Sequence, residues 1–330
     1  MKQFLARLFG RSGADRPDPY PLVVRAPDTL PSLAWRPEAS LPIPDWRAVP
    51  GIDTGELPAG FWDAAATAWL QVLGARLGPA YQIRRSEGFR LLSTLDARSA
   101  QHILACCERS QRRLLRVLDG LARRDESRPV IVMIFDTIDE YYDYVGNYYP
   151  DEGEFAMSAG MFIQHGYGHF VFFGRRFDDM EHTIVHELTH CLLAHQGLPR
   201  WVDEGLAVKM EKTFYPTLDT PSAQLYSRAE MDARHAAYWN ARTIQAFWSG
   251  DAFLHPDEGS ALAYDLCERM TGVLVQDAQR FTAFVEAATC EDAGADAALT
   301  VFDIRLGALA AAILGPGDWE PVAMLAPEAG

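Results

Sequence analysis

The sequence predicts an α+β fold, in which a small mixed β-sheet with an edge hairpin lies beside a mainly helical half. Three observations carry that reading. Residues Val130–Phe135 form an uninterrupted apolar run of strand length directly after Pro129. Residues 160–164 and 169–173 are apolar runs on either side of the turn-like His165-Gly166-Tyr167-Gly168, which is a hairpin signature. From about residue 180 onward, helical spacing of apolar residues replaces strand patterning.

In chain order, half of the 20 prolines fall between residues 17 and 58. Each proline removes a backbone donor and fixes φ, so this stretch is extended, and Trp35 and Trp46 place it against a folded surface. Residues 1–59 therefore read as a Pro-rich N-terminal extension and residues 60–330 as the main domain, with a helical C-terminal part from about residue 255. Residues 61–77 form an apolar helix closed by Gly78-Pro79, and residues 81–93 two short strands around Glu87-Gly88. Asp96 is the N-cap of a long amphipathic helix reaching about Arg124, with Ile103, Leu104, Leu114, Leu115 and Leu118 inward. Asp136 or Thr137 caps the helix at 138–145, whose five nearby tyrosines (141, 142, 144, 148, 149) read as aromatic packing. Helices follow the hairpin at about 180–195, 200–211 and 259–270, and the Ala-rich residues 276–314 are also helical.

Composition narrows the function classes. With 330 residues, 48% of them hydrophobic, the chain builds a sizeable core and is not intrinsically disordered. The longest apolar stretch, residues 306–315, is too short for a bilayer span, which takes about 20 residues. A formal charge of −15 argues against nucleic acid as a partner, because phosphates are repelled. Five scattered cysteines, odd in number and without a CxxC pair, point to reduced thiols and a cytoplasmic location. Phe4, Leu5, Leu8 and Phe9 share a helical face near Lys2, Arg7 and Arg11. That face allows weak peripheral membrane contact, although a frayed or docking terminal helix is the plainer reading.

The chemistry is concentrated in His186-Glu187-Leu188-Thr189-His190. Positions four apart on an α-helix differ by about 40° in azimuth, so both imidazoles leave one face and can reach a single Zn²⁺. Glu187, one position round, addresses a water instead of the metal. A third ligand is needed, and Glu204 is preferred over its neighbour Asp203 because Trp201, Val202, Leu206 and Ala207 surround it with a packing face. Gly197 and Pro199 stop one helix and start the next, and Gly205 lets the two helix backbones approach. His182, one turn before His186, orients a neighbouring group or faces solvent, and Cys191 points into the core.

His186-Glu-Leu-Thr-His190 followed by Leu198-Pro-Arg-Trp-Val-Asp-Glu204-Gly-Leu-Ala207 resembles the gluzincin (peptidase MA-like) zinc metallopeptidases, in particular a bacterial subgroup with a W-x-x-E-G-x-A element. The likeness spans roughly residues 81–319, including the strand at Val130 and the helix with Ser260-Ala-Leu-Ala-Tyr264. It implies a zincin-like active-site helix, one Zn²⁺ per chain held by His186, His190 and Glu204, and Glu187 as general base. It further implies a peptide or protein substrate, Tyr264 as oxyanion donor, and pairing of the substrate with the strand at His169–Phe173. His235 is a weaker oxyanion candidate and reads as a surface residue. Two features depart from neighbouring families. The third metzincin histidine would fall on Gln196, and the thermolysin-type Asp four residues after the glutamate ligand is Val208, which leaves the partners of the imidazoles unassigned. A catalytically inactive, partner-binding protein on the same fold, or an amide hydrolase with a non-peptide substrate, is the alternative.

Overall fold

The apolar run at Val130–Phe135 is the middle strand of a five-stranded mixed sheet. The computed structural model describes residues 20, 31–52, 54–149, 160–174, 180–216, 226–254 and 258–322. The strands are β1 (Gln82–Arg85), β2 (Phe89–Ser93), β3 (Val130–Phe135), β4 (Gly160–Ile163) and β5 (His169–Phe173), in the order β1-β2-β3-β5-β4. β2, β3 and β5 run parallel, while β1 and β4 are antiparallel additions at either side. The hairpin β4–β5 thus closes one side of the sheet, as the sequence predicts. However, β5 lies between β3 and β4, so the strand expected to pair with a substrate is interior. The edge strands are β1 and β4, and β4 is the one next to β5.

Strand alternation explains why β3 carries no polar residue. Val130, Val132 and Ile134 point into one apolar cluster, and Ile131, Met133 and Phe135 into another on the opposite face. The second face is covered by α1 (Phe61–Leu77) and α3 (Ile138–Val145). Trp46 joins them, its ring centroid 5.4–5.8 Å from those of Trp62, Trp69 and Tyr167. The Pro-rich stretch therefore adds a tryptophan to the core, whereas Trp35 stays 36% exposed. The amphipathic residues 4–9 lie outside the described residues.

The first face packs on α2 (Ala97–Val117) and α4 (Glu181–Leu193), which lead into the helical half: α5 (Arg200–Phe214), α6 (Arg228–Tyr238), α7 (Ile244–Ser249), α8 (Glu258–Leu274), α9 (Ala278–Ala287), α10 (Ala295–Phe302) and α11 (Leu306–Leu314). Asp96 caps α2 through the N–H groups of Arg98 and Ser99. That helix stops at Val117 and not near Arg124, because the chain turns through Gly120 at φ +83°. Thr137, rather than Asp136, caps α3 in a capping box with Glu140. The Ala-rich tail is three helices, broken where Ala293, Gly294 and Asp303 adopt positive φ. The helix α6 was not anticipated, although Ser227 and Glu230 form its capping box. No single described helix is long and apolar enough to cross a membrane.

α5 is wedged between α4 and α8. Gly205 permits this, although its close neighbour is α8 and not α4 as the sequence suggested. A Cβ there would lie 2.1 Å from Thr271 Oγ1 and 3.0 Å from the Cys267 carbonyl oxygen. Trp201 anchors the start of α5 by donating its indole N–H to the Ala293 carbonyl at 2.9 Å, among Phe247, Trp248 and Phe284.

Candidate metal centre

Between Leu193 and Arg200 the chain reverses through a short 3₁₀ turn and Gly197 at φ +63°, a conformation that suits glycine. Pro199 then caps α5. The reversal lays the first turns of α5 across the exposed side of α4, whose opposite face is buried through Ile184, Val185, Leu188 and Leu192. His186 and His190 stand on that side with ring centroids 4.9 Å apart.

Glu204 meets both. Its Oε2 lies 3.2 Å from His186 Nε2 and 3.4 Å from His190 Nε2. One ligand atom from each of His186, His190 and Glu204 falls within 4.8 Å of the others, which identifies them as a group able to hold a metal ion. Glu204 is 2% exposed, so it is placed by packing as well as by charge.

The outer ring nitrogens are engaged by carboxylates that sequence reading did not assign. Asp203, considered there as a rival ligand, instead accepts from His190 Nδ1 at 2.8 Å. Glu211 accepts from His186 Nδ1 at 3.3 Å, and its other oxygen is 2.8 Å from His182 Nδ1. His182 thus orients a neighbouring group, one of the two roles expected of it. The signal for Glu211 was available: it follows Glu204 by seven residues, close to two helical turns, and so shares its face. Each Nε2 faces Glu204 Oε2 and, as imidazolium, donates to it, while the acid behind each Nδ1 favours the Nδ1–H tautomer whose Nε2 could ligate a metal. This donor set, two imidazole nitrogens and one carboxylate oxygen with acid partners behind the rings, fits zinc.

The electrostatics are those of a tightly coupled acid–imidazole cluster. Burial disfavours an ionised Glu204, but the two imidazoles and Arg200 outweigh it and hold the carboxyl well below the usual range. Burial likewise opposes charge on His186, and the hydrogen bonds to Glu204 and Glu211 overcome it, raising its pKa to about 9. His190 is raised in the same sense by Asp203 and Glu204 against burial. Glu211 is drawn down to about 2, against its own burial, by His182 and His186.

Glu187 is buried on the side of α4 that packs against β4, with the Phe162 backbone acting on its carboxylate. Burial raises its pKa, the direction a general base near neutral pH needs. Tyr264, on α8, stacks edge-on against Phe253 at 5.2 Å and interacts electrostatically with Glu204, Arg200 and Glu187. The structure therefore brings His186, His190 and Glu204 together, with Glu187 on the same helix and Tyr264 within electrostatic range of Glu204 and Glu187. Tyr149, assigned to aromatic packing from sequence, also interacts with Glu187 and Arg200.

His235 is not near the surface. It is 2% exposed, donates from Nε2 to Asp265 at 2.7 Å and accepts from the Trp239 indole at 2.9 Å, tying α6 to α8. Both ring nitrogens are thereby used. Cys191 is half-buried against the core, and all five cysteines are free thiols.

Comparison with family models, with curated proteins and with solved structures returns no match for this chain.

Proposed function

We propose that the chain is a zinc-dependent metallopeptidase of the gluzincin type, hydrolysing peptide bonds with one zinc per chain. The observation that carries the reading is the convergence of His186 Nε2, His190 Nε2 and Glu204 Oε2, with each outer Nδ1 held by an acid. A solvent-facing HExxH helix has no reason to place a buried carboxylate between its two imidazoles. It has still less reason to back each ring with a second one.

Bound there, zinc would supply Lewis acidity to a carbonyl oxygen and make an attacking water more acidic. His186, His190 and Glu204 would hold it. Glu187 accepts the proton of the attacking water, a step worth about 10²–10⁴-fold in rate. Burial keeps the carboxylate basic enough to act. Tyr264 contributes a hydroxyl donor from the α8 side. The edge strand β4 packs on the helix that carries Glu187, so the pairing with an extended peptide expected of β5 is transferred to β4. Free cysteines, three of them fully buried, accord with a reducing, cytoplasmic setting.

The test is zinc content together with peptide-library cleavage. Wild type is expected to carry about one zinc and to cleave. His186→Ala and Glu204→Ala lose the metal, and Glu187→Gln retains it without cleaving. Absence of stoichiometric zinc in wild type after loading overturns the reading.

A further inference from the structure

The two oxygens of Glu204 have different partners. Oε2 faces both imidazoles, whereas Oε1 lies 3.1 Å from Nε of Arg200, one turn earlier on α5. Glu204 is the one ion-pair partner of Arg200 among the described residues. The Arg200 stem passes against Gly250, held at φ +91°, where a Cβ would come within 2.8 Å of the arginine Cβ. Its side chain is 47% exposed, against 3% for Glu204. One edge of the guanidinium is therefore spent on a buried carboxylate, and the rest reaches open space.

The guanidinium interacts electrostatically with Tyr149, in the loop after α3, and with Tyr264, on α8. These hydroxyls come from the sheet side and the helical side of the molecule, and each also interacts with Glu187. Arg200 thus lies within electrostatic reach of both sides, with its Nη donors given no hydrogen-bond partner among the described residues.

We propose that Arg200 is a catalytic residue: its Nε fixes Oε1 of Glu204, and its Nη edge stabilises the oxyanion that develops on the scissile carbonyl. This rests on the peptidase reading above. As water adds, the new C–O bond forms, the carbonyl π pair moves onto oxygen, and the water proton passes to Glu187. On collapse the C–N bond breaks and Glu187 returns the proton to the leaving amine. An arginine serves both ends at once because its planar fork presents Nε and Nη donors in fixed directions, which a lysine cannot do. Placed in a site partly closed to water, such a donor acts on charge as it forms.

The experiment compares zinc-saturated wild type, Arg200→Gln and Arg200→Lys. A phosphinic peptide is the probe, since its tetrahedral anionic group carries the charge of the attacked carbonyl. Calorimetry measures its affinity, and kcat and KM are measured on a peptide that wild type cleaves. With about one zinc in each protein, Arg200→Gln is expected to bind the phosphinate about 10²-fold more weakly and to lose about 10²-fold in kcat, with KM little changed. Arg200→Lys is expected to fall between the two, and it keeps the test decisive if the glutamine variant does not fold. If both variants match wild type in phosphinate affinity and kcat once zinc is saturating, and differ only in zinc affinity, Arg200 merely positions Glu204 and the inference is overturned. A wild type that holds zinc and binds the phosphinate but cleaves no peptide in the library sinks the peptidase reading, while the affinity comparison still decides the role of Arg200.

Discussion

Asp203 and Glu211 each stand behind one imidazole, and their removal gives a graded prediction. Asp203 receives His190 Nδ1–H at 2.8 Å without a competing imidazole, whereas Glu211 receives His186 at 3.3 Å and shares itself with His182. Charged acceptors make hydrogen bonds roughly twice as strong as neutral ones, and loss of a partner behind a ligating imidazole typically costs about 10–100-fold in metal affinity. Asp203→Asn is therefore expected to weaken zinc binding about 30-fold and Glu211→Gln about 10-fold, each tenfold step being about 1.4 kcal/mol. Because the two acids act on different rings, the double variant is expected near the product, about 300-fold. The measurement is competition for zinc against a chromogenic chelator at fixed pH. Asp277→Asn serves as a control, since Asp277 caps α9 and touches neither ring. If both single variants bind within twofold of wild type, or the control loses as much, the carboxylates are not supporting the imidazoles.

Three further expectations concern the frame around the site. Gly205→Ala places a methyl against Thr271 Oγ1 and the Cys267 carbonyl, forcing α5 from α8, and should cost about 1–3 kcal/mol in urea unfolding; unchanged stability would mean the helices separate freely. His169 is fully buried, donating to the Tyr167 carbonyl and accepting from the Tyr144 hydroxyl, and burial lowers its pKa to about 4. Below its unfolded value of about 6.5 the unfolded chain takes up a proton that the folded one refuses, so stability falls with pH between 6.5 and 4 by about 3 kcal/mol. Against His169→Gln, the wild-type advantage should shrink by that amount across the window, and a constant gap in denaturation midpoints would refute the linkage. Trp46→Ala should cost about 3–5 kcal/mol by leaving a cavity among Trp62, Trp69 and Tyr167. A smaller loss would mean the Pro-rich stretch is dispensable for the core.

Local patterns were readable where one interaction dominates. Strand β3 declared itself because both faces of the sheet are covered, which leaves no position for a polar residue. Asp96 and the Gly197–Pro199 reversal were legible as caps and breaks, since backbone geometry alone demands those residue types. His186, Glu187 and His190 followed from helical spacing, and Glu204 from its packing neighbours. What escaped depends on contacts far along the chain. Nothing local distinguishes Asp203 as a support from Asp203 as a ligand, since the choice rests on where α5 crosses α4. Whether β4 or β5 holds the edge depends on which of them joins β3, a pairing between residues 38 apart in the chain. His235 looked superficial because the acid it pairs with, Asp265, lies on α8, 30 residues further along the chain.

Helix α5 carries Arg200, Asp203, Glu204 and Glu211 together. These groups inherit a single frame of reference, so they cannot drift independently. Adding one residue to the connector before Arg200 would rotate that frame by about 100° relative to α4, carrying cation, ligand and both supports off target at once. Homologous loops elsewhere can lengthen or shorten at little consequence, but the six residues joining these two helices act as a spacer whose length is quantised.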